Sequence, residues 1–158
     1  MKVISLFSGA GGMDLGFIQA GHTIIWANDI WKDAVETYRR NLGNHIVCDD
    51  ISAMDAATIP DGDIVIGGFP CQGFSLANRK RNTSDERNFM YLEFRRIVSE
   101  KKPRYFLAEN VKGILSLDSG KVFEQILQDF SEIGYRIRHE VLNAADYGVP
   151  QRRERVVF

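Results

Sequence analysis

The sequence predicts an α/β chain built on a mostly parallel sheet with helices on both faces. Two observations carry this expectation. Short apolar runs rich in Val and Ile recur along the chain, and between them lie longer segments with apolar residues at helical spacing. Glycines and turn residues punctuate the junctions.

The elements follow in order. KVISLF (2–7) reads as a buried strand ended by Ser8-Gly9. Residues 13–20 read as a helix closed by Gly21, and TIIWAN (23–28) as a second strand. Asp29 can cap the next helix, where Trp31, Ala34, Val35, Tyr38 and Leu42 share one face. HIV (45–47) and DIVIG (63–67) are the third and fourth strands. Residues 87–100 form a helix with Leu92, Ile97 and Val98 inward, and RYFLAEN (104–110) is a fifth strand. Residues 119–133 are an amphipathic helix stopped by Gly134, with Val122, Phe123, Ile126, Leu127, Phe130 and Ile133 on one side. YRIRHEVL (135–142) alternates as a sixth strand, and RVVF (155–158) begins a seventh. The polar, basic gap at 75–88 is the candidate mobile loop. RVVF stops inside a strand with no closing helix, so either the chain is a fragment or a second chain completes the fold.

Composition excludes several classes. The 158 residues suit one domain, and 44% hydrophobic with 26% charged is ordinary for a soluble protein. No apolar run approaches the roughly 18 residues of a membrane span, and MKVISLF lacks a secretory pattern. Cys48 and Cys71 make neither a metal spacing nor a disulfide framework, so a cytoplasmic chain with reduced thiols and no metal is expected. Net charge is −1, but unevenly spread: −5 over 1–78, +4 over 79–102 and 0 over 103–158. A solvated face is the plain reading of NRKRN (78–82); a basic loop beside a possible active site also suits a phosphate-bearing partner.

Four motifs carry chemistry. In FSGAGGMDLGF (7–17), Gly9, Gly11 and Gly12 let backbone approach a ligand at a helix N-terminus. Asp14 stands where a dinucleotide fingerprint has its last glycine. Asp29 ends the second strand, where a carboxylate can bind ribose hydroxyls, and Asp50-Ile51 can meet an adenine edge. Together they suggest a nucleoside-bearing cofactor; a tight turn and a helix cap are the alternative. In GGFPCQGFS (67–75), Cys71 sits at the end of a strand, where a following turn would favour thiolate. Cys48 lacks that context and reads as structural. In ENVKG (109–113), a partly buried Glu109 would hold its proton more tightly and could donate it. In QRRER (151–155), the arginines can pair with Glu109, a phosphate or a base edge. Asn110 and Asn143 can order a loop or cap turns, and His22, His45 and His139 read as structural.

FSGAGG, GGFPCQGFS, ENV and QRRER, in this order and spacing, resemble the DNA cytosine-5 methyltransferases over essentially the whole chain. The resemblance implies a Rossmann-like methyltransferase fold and S-adenosylmethionine as cofactor. It assigns Phe7, Ser8, Gly9, Ala10, Gly11 and Gly12 to the methionine end, Asp29 to the ribose, Ile30 to the adenine face, and Asp50 and Ile51 to the adenine edge. Phe69 and Pro70 adjoin the cofactor, and their carbonyls would accept from the cytosine amine. Cys71 is the nucleophile toward C6 of a flipped cytosine, Glu109 acts at N3, and Arg155 holds O2 with support from Arg153. Ser75, Arg79, Lys80, Arg81 and Arg87 become phosphate or loop contacts with duplex DNA. The family continues past QRRER into a target-recognition domain and a last conserved block. The expectation is therefore one catalytic domain over 1–158, truncated at the C-terminus: a shortened product, a subunit completed by a second chain, or an inactive cofactor-binding fragment or regulatory module. Relatives with this fold also methylate tRNA cytosine; the FPCQGFS form favours DNA, within restriction-modification.

Overall fold

The computed structural model describes residues 1–70 and 89–158. Its first part runs β1 (Lys2–Leu6), α1 (Gly12–Gln19), β2 (Thr23–Asp29), α2 (Lys32–Asn41), β3 (Ile46–Cys48) and β4 (Ile64–Gly67). Then come α3 (Phe89–Lys101), β5 (Tyr105–Val111), α4 (Lys121–Glu132), β6 (Glu140–Asn143) and β7 (Glu154–Val157). The strand order is β3-β2-β1-β4-β5-β7-β6. β1 pairs in parallel with β2 and β4, and β2 with β3. β7 runs antiparallel to β5 and β6. The predicted mostly parallel α/β architecture is present. The reversal at β7 has a local cause: a 3-10 turn, Ala144–Tyr147, and a short loop separate β6 from β7, too short for a parallel crossover.

The chain divides into two compact units, residues 1–68 with 96–107, and residues 69–95 with 108–158. In the first, β1 reads as a nearly continuous apolar run because it is interior: Val3, Ile4 and Leu6 are fully buried. Its core also takes Ile24, Ala27, Val35, Tyr38, Ile46, Ile64 and Ile66. Ile97 and Val98 of α3 are buried as expected.

In the second, Phe94 packs edge-on to Phe130 at 6.0 Å between ring centroids, and Phe69 lies 5.9 Å from Phe94 and 6.1 Å from Tyr91. Ala108 and Phe158 exchange backbone hydrogen bonds of 3.0 and 2.8 Å, extending the β5–β7 ladder.

Three expectations shift. Trp31 is 74% exposed, because it is the extended residue before α2 rather than part of its apolar face. Trp26, inside β2, is buried. β6 begins at Glu140, since β7 supplies partners only for Glu140–Asn143. On α3, Tyr91 and Phe94 are buried in the second unit, while Leu92 is half-buried.

Candidate active site

The glycine turn joins β1 to α1 in the first unit. Phe7 takes φ +54°, a left-handed backbone rare for a bulky side chain. Its neighbours hold it there: the Ser8 N–H donates to Asn28 O at 2.9 Å, and the Gly11 N–H to Ser8 O at 2.9 Å. Asp29 is 7% exposed. One of its oxygens accepts the Gly9 N–H at 2.7 Å, the other the Trp31 N–H at 2.9 Å. A carboxylate offers about four lone-pair sites, so Asp29 fixes the turn and retains acceptor capacity toward a hydroxyl pair. Ile30 is 57% exposed beside it.

Beneath the turn lies a polar network that the sequence reading did not anticipate. Asp14 is fully buried. It accepts from Ser5 Oγ at 2.6 Å and from Tyr38 OH at 2.7 Å, and Tyr38 OH also meets His45 Nε2 at 3.0 Å. Ser8 Oγ donates to Ser5 Oγ at 2.9 Å, linking the network to the turn. Burial pushes the Asp14 carboxyl above the usual carboxylate range, and the two hydroxyl donors oppose that. Burial, then the Asp14 carboxylate, raises the Tyr38 hydroxyl. The signal was the acid inside the glycine motif; its partner Tyr38 lies 24 residues on, beyond the reach of a local pattern.

Asp50 opens a 3-10 turn, Ile51–Ala53, and accepts from Ser52 N at 2.9 Å and Ser52 Oγ at 2.7 Å. Ile51 is buried.

In the second unit, Glu109 and Arg155 come together across the β5–β7 ladder. Arg155 faces Val111, so Glu109 lies diagonally opposite, and the Nε–Oε1 distance is 2.8 Å. Of the pairings open to the arginines, Arg155 takes Glu109. Arg155 Nη1 also donates to Glu154 O at 2.8 Å, and Lys112 pairs with Glu154 at 2.7 Å. Asn110, 2% exposed, donates from Nδ2 to Phe69 O at 3.0 Å and accepts the Val111 N–H on Oδ1 at 2.8 Å. The Phe69 carbonyl keeps a second lone pair. Asn143 caps its turn and receives the Arg153 N–H at 3.1 Å, so the exposed Arg153 is placed through its backbone. Ala145, Gly148, Val149, Pro150, Gln151 and Arg152 line an open groove of about 420 Å³. Pro70 is exposed. Cys71, Ser75, Arg79, Lys80, Arg81 and Arg87 lie outside the described residues.

The sequence model of the C-5 cytosine-specific DNA methylase family matches residues 1–158, and the chain belongs to that family. It is 49% identical over 159 residues to Type II methyltransferase M.NgoFVII of Neisseria gonorrhoeae, across 99% of this chain and 42% of that protein. A candidate DNA modification methyltransferase encoded within a prophage of E. coli superposes with a TM-score of 0.84 at 35% identity, covering 100% of this chain and 45% of the other. The S. pombe Dnmt2 methyltransferase superposes with a TM-score of 0.80 at 26% identity, covering 99% and 49%. The chain spans about half the length of the curated relatives it matches.

Proposed function

We propose that these residues form the catalytic portion of a DNA cytosine-5 methyltransferase of the restriction-modification type, acting on a cytosine flipped out of duplex DNA. The observation that carries the reading is the Glu109–Arg155 pair, together with a Phe69 carbonyl held by Asn110 just before Pro70 and Cys71.

S-adenosylmethionine fits the residues of the first unit. A Cβ at Gly12 would meet nothing within 4 Å, leaving open backbone at the start of α1 for the methionine end. Asp29 has acceptor capacity for the ribose, exposed Ile30 offers an apolar surface to adenine, and Asp50-Ile51 would read its edge. When bound, this cofactor supplies an electrophilic methyl group.

The chain's own residues make cytosine a nucleophile. The Cys71 thiolate adds to C6, and the electron pair of the C5–C6 bond shifts to C5. Glu109 shares or delivers a proton at N3, which offsets the negative charge that develops as sulfur adds. Arg155 donates to O2 of the base while holding Glu109, and Arg153 supports it. The Phe69 and Pro70 carbonyls accept from the exocyclic amine and so select cytosine. C5 would take the methyl group as its bond to the donor sulfur breaks; C5 then loses its proton to a base, N3 returns its proton to Glu109, and the C6–S bond breaks to restore the thiolate and the double bond. Target recognition is assigned to protein outside these residues, in the same or a complementing chain.

The test is a covalent trap on duplex DNA carrying 5-fluorocytosine, with cofactor present. Fluorine at C5 blocks the final elimination, so even slow turnover accumulates adduct. A denaturation-resistant adduct is expected, abolished in Cys71→Ser and reduced more than tenfold in Glu109→Gln, an order of magnitude set by loss of general acid catalysis. Adduct on tRNA instead of duplex DNA would move the substrate to RNA. Cofactor binding with adduct on neither would point to a binding module.

A further inference from the structure

We infer that Arg96 is a positioning residue for the adenine end of the cofactor site, acting through the turn Ile51–Ala53. The inference rests on the cofactor reading above. Arg96 lies on α3, and both it and the turn belong to the first unit. Its Nη2 donates to Ile51 O at 3.0 Å and to Met54 O at 3.1 Å, so one nitrogen ties the start of the turn to the residue that ends it. Nη1 lies 3.4 Å from Glu100 Oε1. The side chain is 29% exposed, which keeps these charge-assisted bonds largely out of water.

The turn needs such a support. Three residues of 3-10 helix have poor hydrogen-bond geometry, so each tie to the turn counts. Here the Met54 N–H reaches Ile51 O at a long 3.3 Å. On the other flank, Asn28, 1% exposed, donates from Nδ2 to Asp49 O at 2.8 Å. The segment is thus held at Asp49 by Asn28, closed on itself by Asp50 and Ser52, and clamped at Ile51 and Met54 by Arg96. Replacing the amino group at the six-position of a purine by a carbonyl turns that position from donor to acceptor and N1 from acceptor to donor. Telling them apart requires the reading atoms of Asp50 and Ile51 to stay in register. A lysine does not reproduce the clamp, because its single nitrogen sits one bond nearer the helix than Nη2, short of the point where both carbonyls are met.

The experiment uses the purified chain, titrated with S-adenosylhomocysteine and its inosine counterpart, alongside hydrogen exchange of the Ser52, Ala53 and Met54 amides without ligand. In Arg96→Lys and Arg96→Met, affinity for the adenine ligand is expected to fall about tenfold. The inosine ligand should lose far less, so the preference narrows, and the three amides should exchange faster. Arg39→Lys is the control, since Arg39 Nη2 holds Ile46 O at 3.2 Å by the same chemistry elsewhere in the unit; there the preference should hold. Unchanged preference and unchanged exchange in both Arg96 variants would overturn the inference. A wild-type chain that binds neither ligand would overturn the cofactor reading, while faster exchange in Arg96→Lys would still establish the clamp. Arg96→Lys carries the test if Arg96→Met does not fold.

Discussion

At Gly11 the backbone has φ +89°, and an added Cβ would come within 2.9 Å of Tyr38 Cδ2 and nearer still to Leu42 Cδ1. At Gly12 φ is ordinary and a Cβ would meet nothing within 4 Å. Neighbouring glycines of one motif are therefore constrained differently: the fold constrains Gly11 and leaves Gly12 open, and the proposed function assigns the constraint on Gly12 to the cofactor. Gly11→Ala is expected to cost about 1–3 kcal/mol through left-handed strain and overpacking. Gly12→Ala should leave stability unchanged or raise it by up to about 1 kcal/mol, since alanine is the better helix former, yet weaken S-adenosylmethionine binding more than tenfold, about 1.4 kcal/mol. Urea unfolding and ligand titration of both variants separate the effects. A Gly12→Ala chain with native affinity would move the cofactor away from this turn.

Two helices carry buried tyrosines whose hydroxyls donate to buried carboxylates, Tyr38 of α2 to Asp14 and Tyr91 of α3 to Asp129. Asp129 is further held by Gln125 Nε2 at 2.8 Å. In both tyrosines burial, then the carboxylate, raises the hydroxyl above its usual value near 10. The unfolded chain then gives up these protons at lower pH than the folded one. Their stabilisation is complete below pH about 10 and declines as pH rises beyond it, by up to about 1.4 kcal/mol per pH unit for each tyrosine. Urea unfolding between pH 9 and 11.5 should show that decline, and Tyr91→Phe should remove one tyrosine's share of the slope. An unchanged slope would mean that Tyr91 does not carry it. These pairs also mark the limit of pattern reading. Periodicity located α2 and α4, because Val35, Tyr38, Ile126 and Phe130 are buried as their spacing requires. It could not show that Asp129 shares the buried face of α4, since a carboxylate is buried only where partners satisfy it, and here one is Tyr91 of another helix. Nor could alternation set the length of β6, which depends on how many residues β7 offers.

At the scale of the molecule, the sequence offered Glu109 as one of three partners for the arginines of QRRER, and Arg155, 46 residues further on, takes it. Motif order did not foretell Arg96, because an arginine on a helix reads as solvated surface until a turn 45 residues earlier presents two carbonyls to it. The proposed cofactor residues up to Ile51 fall in the first unit, and the proposed base-handling residues Phe69, Glu109 and Arg155 in the second. Neither assignment includes a surface for reading sequence, and charge bears on this. Net charge is −1, with the basic excess confined to 79–102. Phosphate neutralisation supplies most non-specific DNA affinity, and each contact contributes about 0.9 to the slope of log affinity against log salt. If Arg79, Lys80, Arg81 and Arg87 are the contacts, the slope for these 158 residues alone is no steeper than about −4, with Kd near the 10⁻⁴–10⁻⁶ M typical of non-specific binding. Changing Arg79 and Lys80 to Gln should flatten it by about 2. Fluorescence anisotropy with several unrelated duplexes, from low to physiological salt, measures slope and selectivity together. Near-equal affinities would place target choice in the remaining half that the relatives carry. A slope near −8 with marked preference for one duplex would instead put recognition within these residues, and overturn the division between chemistry here and sequence reading elsewhere.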